Sequence, residues 1–233
     1  MAYHHTHKGD ATKSASFTVS HHLSDETLLD YANGSLSSSM ETLVACHLTV
    51  CSHCRERSLI ADDVGGELLI NNNPAAVKVS AVDVLRRAHN EPAICASKTQ
   101  NPIGDTSVPR PLGRLLPGPV ESLSWRNIAP GIKQYSLSER PLKEGAFKLL
   151  RLEPGVTLSQ HSHNERELTY VVRGSYRDEL GQYRAGDIAD LDDHIEHRPV
   201  VDSDEVCIAL IATDAPVKYS TVLGKIMQPF VGI

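Results

Sequence analysis

His47-Leu48-Thr49-Val50-Cys51-Ser52-His53-Cys54 is the stretch on which the reading of this chain turns. It has the form H-x3-C-x2-C, so three soft or borderline donors fall within eight residues. On a helix, His47 and Cys51 stand four apart and face the same way. Cys54 follows three residues later, where the helix is expected to end and the chain to turn back. Thiolate and imidazole are the preferred ligands of tetrahedral zinc. The run therefore offers three corners of a site, and the fourth must come from elsewhere.

The flanking sequence predicts helices. Ser24 and Asp25 are good caps for a first helix with a stripe of Leu28, Leu29 and Ala32, and Gly34 ends it. A second helix is expected to open at Ser38, with Glu41 completing a capping box. Met40, Leu43, Val44, His47, Leu48 and Cys51 then follow at helical spacing, which puts the donors on the buried face. A third helix is predicted from Cys54 to a stop at Gly65-Gly66, and a fourth from Ala81 to about His89. His21 and His22, at the mouth of the first helix, are the two candidates for the missing ligand. The competing reading makes His47 a core histidine and the cysteines small buried hydrophobes. The histidine added to C-x2-C on one face favours metal.

The bulk numbers narrow the possibilities. The 233 residues are 40% hydrophobic and carry a net charge of −6, from 23 basic and 29 acidic groups. No basic face is advertised, so direct binding of nucleic acid is not expected. No apolar run reaches the ~20 residues of a membrane helix, and the polar, His-rich start does not read as a signal peptide. Cytoplasm is the expected location. Five cysteines, an odd number, argue against a disulfide framework.

The expected architecture is α + β in two domains. Residues 1–19 read as a disordered tail, 20–91 as a metal-stabilised helical bundle, and 92–119, rich in proline and glycine, as a linker with Cys95 free in it. Residues 120–217 read as a β-sandwich or barrel and 218–233 as a tail. Short β-prone runs at Phe147–Leu152, Glu167–Val172, Ile188–Leu191 and Val206–Ala212 are separated by turns at Gly155, Gly174, Gly181 and Gly186. His161 and His163 would share one face of a strand, with Glu167 an even step on and His197 on a neighbouring strand. Three imidazoles and a carboxylate suit zinc or another divalent metal.

The first half resembles the zinc-binding anti-sigma factors, most closely the ChrR type. The likeness is carried by His22, His47-x3-Cys51-x2-Cys54, Leu23-Ser24-Asp25, Tyr31-Ala32-x-Gly34-x-Leu36 and Gly65-Gly66. It selects His22 over His21 as the fourth zinc ligand. The second half, over roughly residues 125–215, resembles the cupin signature, with Asp192, His194 and Val201 departing from it. These resemblances imply that the helices grip an extracytoplasmic-function-type sigma factor. They imply too that the cupin-like domain responds to an oxidative signal, singlet oxygen or an organic peroxide, and releases it. Leu28, Leu29, Leu59, Leu68, Leu69, Val82 and Leu85 are the candidate sigma contacts, and Cys207 is a candidate redox-sensing thiol. No catalytic residue is assigned. The rivals are a cupin metalloenzyme, a dioxygenase or isomerase with a regulatory zinc module, and a small-molecule-sensing cupin regulator.

Overall fold

The structure is a computed structural model. It describes residues 18–73, 78–90, 105, 107–137, 145–162, 166–191, 195–215 and 218–219. The expected N-terminal tail up to residue 17, Cys95, His163, Asp192, His194 and residues 220–233 lie outside the described residues.

Four helices form the N-terminal head: α1 (Asp25–Asn33), α2 (Ser38–Val50), α3 (Ser52–Ile70) and α4 (Ala81–Asn90). Ser24 caps α1 by accepting the Thr27 amide, and Asp25 and Glu26 in the first turn complement the positive end of the helix. Gly34 closes α1 in the left-handed region at φ 72°, a conformation open to glycine at little cost.

Three local expectations need correction. The N-cap of α2 is Ser37 and makes no side-chain cap, so Ser38 and Glu41 form no capping box. The Ser37 hydroxyl instead donates to Asp214 Oδ1 at 2.8 Å, far along the chain. Cys51 leaves the helix at φ −98°, ψ 105° and stands between α2 and α3, where its Sγ accepts the Cys54 amide. Finally, α3 does not stop at Gly65-Gly66 but continues to Ile70. Neither glycine takes a positive φ, and a helical glycine costs only about 1 kcal/mol against alanine. The helix ends at Asn71, whose backbone and side-chain N–H groups both donate to the Glu67 carbonyl.

The part of the expected linker from Ser107 onward is packed structure. It holds the short helix α5 (Arg110–Gly113) and a 3-10 turn at Val120–Ser122. Val108, Leu112, Leu116, Val120 and Leu123 are buried. The Asp105 carboxylate fastens the segment by accepting the amides of Ser107 and Val120. Proline content reads as linker from sequence, but the interleaved leucines and valines give this segment an apolar side to bury.

The remainder is antiparallel β. A six-stranded sheet has the order β1 (Arg126–Ala129), β2 (Ile132–Ser136), β3 (Ala146–Leu152), β10 (Cys207–Thr213), β5 (Glu167–Arg173), β8 (Ile188–Leu191). A three-stranded sheet joins β11 (Lys218–Tyr219), β4 (His161–Ser162) and β9 (Glu196–His197), so residues 218–219 belong to the β unit rather than to a tail. A separate hairpin pairs β6 (Ser175–Arg177) with β7 (Gln182–Arg184).

Strand alternation gives the large sheet two apolar faces. Leu150, Leu152, Val171, Cys207 and Ile211 point inward with Tyr176 and Tyr183. Leu149, Leu168, Tyr170, Leu210 and Ala212 point outward and join Met40, Leu43 and Val44 of α2 in one cluster. Helical head and β unit thus share a core, with α2 as the common wall and α5 beneath it. Polar ties reinforce the junction: Arg166 bonds to Asp30 and Glu26 on α1, and Asp190 accepts from the Ser24 amide and hydroxyl.

Candidate metal centres

The break between α2 and α3 builds the first centre. Ending α2 at Val50 lets Cys51 swing round so that its sulfur lies beside the first turn of α3, which carries Cys54. The segment before α1 brings His22 across. Donor atoms of His22, His47, Cys51 and Cys54 all lie within 4.8 Å of one another. Cys51 Sγ is 3.3 Å from His22 Nδ1, Cys54 Sγ is 3.7 Å from it, and His47 Nε2 is 3.3 Å from Cys54 Sγ. A tetrahedral ion with metal–nitrogen and metal–sulfur bonds of normal length separates its ligands by roughly 3.3–3.8 Å. The donors therefore fit a single tetrahedral cation.

The protonation pattern agrees. His47 Nδ1 donates to the Gly186 carbonyl at 3.0 Å, which leaves the Nε2 lone pair facing the thiols. Burial pushes His47 down to about 4, so the ring is neutral near pH 7, the form a metal needs. Burial, and then the neighbouring Cys51, push Cys54 up to about 11, so a cation is what would draw off its proton. His21 is not in the cluster. Its ring stacks on Tyr183 at 4.1 Å and faces Asp187. Of the two sequence candidates, it is His22 whose ring meets the thiols.

A pH prediction follows from His47. Its value in the folded chain lies below the unfolded value of 6.5, so the folded state binds fewer protons. The stabilisation from the neutral ring is complete above pH 6.5 and is lost as pH falls toward 4, up to about 3 kcal/mol. Denaturant midpoints read by helical circular dichroism should fall across that window. They should fall more steeply with metal present, because protons and metal compete for the same atoms.

The second centre lies inside the β unit. β4 pairs with β9 so that His161 and His197 sit directly opposite each other. His161 Nδ1 donates to the Ser159 carbonyl at 2.8 Å, and His197 Nδ1 donates to Asp178 Oδ2 at 2.9 Å. Their Nε2 atoms face each other at 3.1 Å, a separation that suits an N–H···N bond between the rings or two bonds to one divalent ion. Glu167 supplies a carboxylate oxygen within the same 4.8 Å cluster. The three described residues are buried and suit a divalent metal.

Two candidate assignments are corrected. Cys207 is fully buried at the start of β10, and burial pushes its thiol up to about 12. A protonated, enclosed thiol is a poor nucleophile, so Cys207 is core rather than a primary redox sensor. Leu28 is 1% exposed and belongs to the core, so it has no surface to offer a partner. Leu29, Leu59, Leu68, Leu69, Val82 and Leu85 are all exposed, Leu69 to 75%.

Sequence reasoning missed the residues that orient the ligands: Asp178, Asp187 and the Gly186 carbonyl. Asp178-x-x-Gly181 is legible as a turn, but nothing in its spacing points to His197.

Over 217 residues, 91% of the chain, the sequence is 36% identical to the anti-sigma-E factor ChrR of Cereibacter sphaeroides, and the match spans 98% of that protein. The chain belongs to the ChrR family of anti-sigma factors. Residues 118–216 match the ChrR cupin-like domain. The fold is similar to ChrR in the crystal structure of Rhodobacter sphaeroides SigE in complex with the anti-sigma ChrR, with a TM-score of 0.70 and 34% identity. That match covers 84% of this chain and 100% of the other. A helical head followed by a cupin-like antiparallel sheet is therefore the ChrR architecture, and the family is one of regulators rather than enzymes.

Proposed function

We propose that this chain sequesters an extracytoplasmic-function-type sigma factor through its helical head, holds zinc in that head, and frees the partner when the cupin-like unit meets an oxidative signal. The single observation that carries the reading is the set of exposed apolar side chains on the two helices that follow the Cys/His cluster. On α3, Leu59, Leu68 and Leu69 are exposed, and on α4 so are Val82 and Leu85. Exposed apolar helix faces of this kind are built to be covered by a partner. An open groove between α1, α2, α3 and α5, about 620 Å³ in volume, is lined in part by the acidic Glu41 and Asp62. With a net charge of −6 the chain suits a partner whose basic surfaces otherwise meet promoter DNA.

The His2Cys2 donor set is that of a structural zinc, four ligands and no open position, and zinc there would fix the angle between α2 and α3. The cupin donors suit zinc or another divalent metal and would make the oxidant-facing site. Among the described residues no helix is long and apolar enough to cross a membrane. The proposed partner works with RNA polymerase, and a cytoplasmic location goes with that proposal.

Co-expression with an extracytoplasmic-function-type sigma factor encoded beside this chain tests the proposal. A one-to-one complex carrying zinc, dissociating on exposure to singlet oxygen or organic peroxide, is the expected result. A complex that forms but resists both oxidants removes the signalling half of the proposal. No complex at all removes the whole of it.

A further inference from the structure

One short element holds a residue of each candidate metal centre. At one end, Asp178 closes the β6–β7 hairpin: its amide donates to the Gly181 carbonyl, and its Oδ1 accepts the amides of Leu180 and Gly181. Its other oxygen accepts from His197 Nδ1, which sets that ring's tautomer in the cupin centre. At the far end, the chain leaves β7 through Ala185, Gly186 and Asp187. The Gly186 carbonyl holds His47 Nδ1. The Asp187 carboxylate, 2% exposed, accepts the amides of Ser20 at 2.7 Å and His21 at 3.1 Å, together with the Ser20 hydroxyl and the Arg184 amide. Those bonds fix the backbone directly before His22. Between the two ends, Tyr183 of β7 stacks on Tyr176 at 4.8 Å and on His21 at 4.1 Å.

The hairpin pairs as a two-stranded sheet and is anchored beyond it: Arg177 exchanges backbone hydrogen bonds with Val200, and Gly186 and Asp187 bond to Val171 of β5. With Tyr176 and Tyr183 packed in the inner core, a shift imposed at one end is carried to the other.

We propose that the β6–β7 hairpin and the turn after it couple the cupin centre to the zinc centre of the head, with Asp178 and Asp187 as positioning residues at its two ends. A change in how His197 is held tilts the hairpin. The tilt reaches the head as a change in how His22 and His47 are presented. The inference deepens the proposed release mechanism and rests on the zinc reading of the head.

Cobalt substitution of the full-length chain isolates the readout. Of the two described donor clusters, that of the head carries the cysteines, so a thiolate-to-cobalt charge-transfer band reports the head, and zinc titration against that band gives its affinity. Asp187→Asn, which loosens the backbone before His22 and next to the Gly186 carbonyl, is expected to weaken zinc binding by the head about 10-fold, the lower end of what is lost when the support of a metal ligand is removed. Asp178→Asn, whose carboxylate faces the cupin ligand, is expected to weaken it by about fivefold or more, the lower range of coupling between sites. That second effect should vanish when Asp187→Asn is already present. Should Asp187→Asn fail to fold, His21→Ala, which removes the stack on Tyr183, is expected to shift affinity in the same direction. A change below twofold for Asp187→Asn, or an Asp178→Asn effect of equal size in both backgrounds, overturns the proposal. The experiment contains neither sigma factor nor oxidant, so it fails or succeeds independently of sigma capture and oxidant release.

Discussion

Replacing Cys51 and Cys54 together by serine is expected to melt the head and end sigma capture. The reason lies in how little else holds that corner. Met40, Leu43 and Val44 hold α2 in the core it shares with the sheet, but most of α3 and all of α4 contribute no buried apolar side chain. A structural zinc site supplies apparent binding energy of about 10–16 kcal/mol, as much as the whole stability of an ordinary domain. Serine removes both thiolates and leaves His22 and His47 facing weak donors. The Cys51 side chain also caps α3 through the Cys54 amide, so the substitution strikes the start of that helix as well. Helical circular dichroism should drop, the thiolate–cobalt band should disappear, and sigma binding should fall at least about a thousandfold, some 4 kcal/mol. The β unit should persist, because its inner core touches none of these residues. A doubly substituted protein with full helicity and unchanged sigma affinity would remove the structural role of the metal.

The second large effect concerns surface rather than fold. The triple substitution Leu68→Asp, Leu69→Asp and Leu85→Asp should lower sigma affinity by about 100-fold or more, in the range lost when buried interface anchors are replaced. It should leave stability nearly unmoved, because exposed positions away from special features rarely change it by more than about 0.5 kcal/mol. All three side chains are exposed in the free chain. The contrast is Leu43→Ala on α2, fully buried, where a loss of about 2–5 kcal/mol of stability is the norm. Calorimetric binding together with thermal melting separates the two cases. Unchanged affinity in a triple variant that melts normally would place the sigma contact elsewhere.

The parts legible in sequence were those governed by short-range chemistry. The spacing of His47, Cys51 and Cys54 puts three donor side chains together because one helix end and one turn suffice to do so. The β-prone runs at Phe147–Leu152 and Ile188–Leu191 became β3 and β8 because both are bounded by turn residues. What escaped notice depends on distant parts of the chain. Leu28 and Leu29 are neighbours on α1, yet only one faces the core, and the apolar pattern does not carry the phase of a helix against its partners. Gly65-Gly66 looked like a stop, but a helix ends where competing bonds exist, and here they exist at Asn71. The Asp187 clasp joins residues more than 160 positions apart, and nothing local announces it.

The position of α2 as the common wall of head and sheet leaves it little latitude for change over generations. Of its thirteen residues only Ser38, Thr49 and Val50 are exposed. One end carries His47 of the Cys/His cluster, and one flank packs on the cupin-like sheet. Drift accumulated in lineages of this chain should therefore gather on α3 and α4, where a different partner can be accommodated without rebuilding the scaffold.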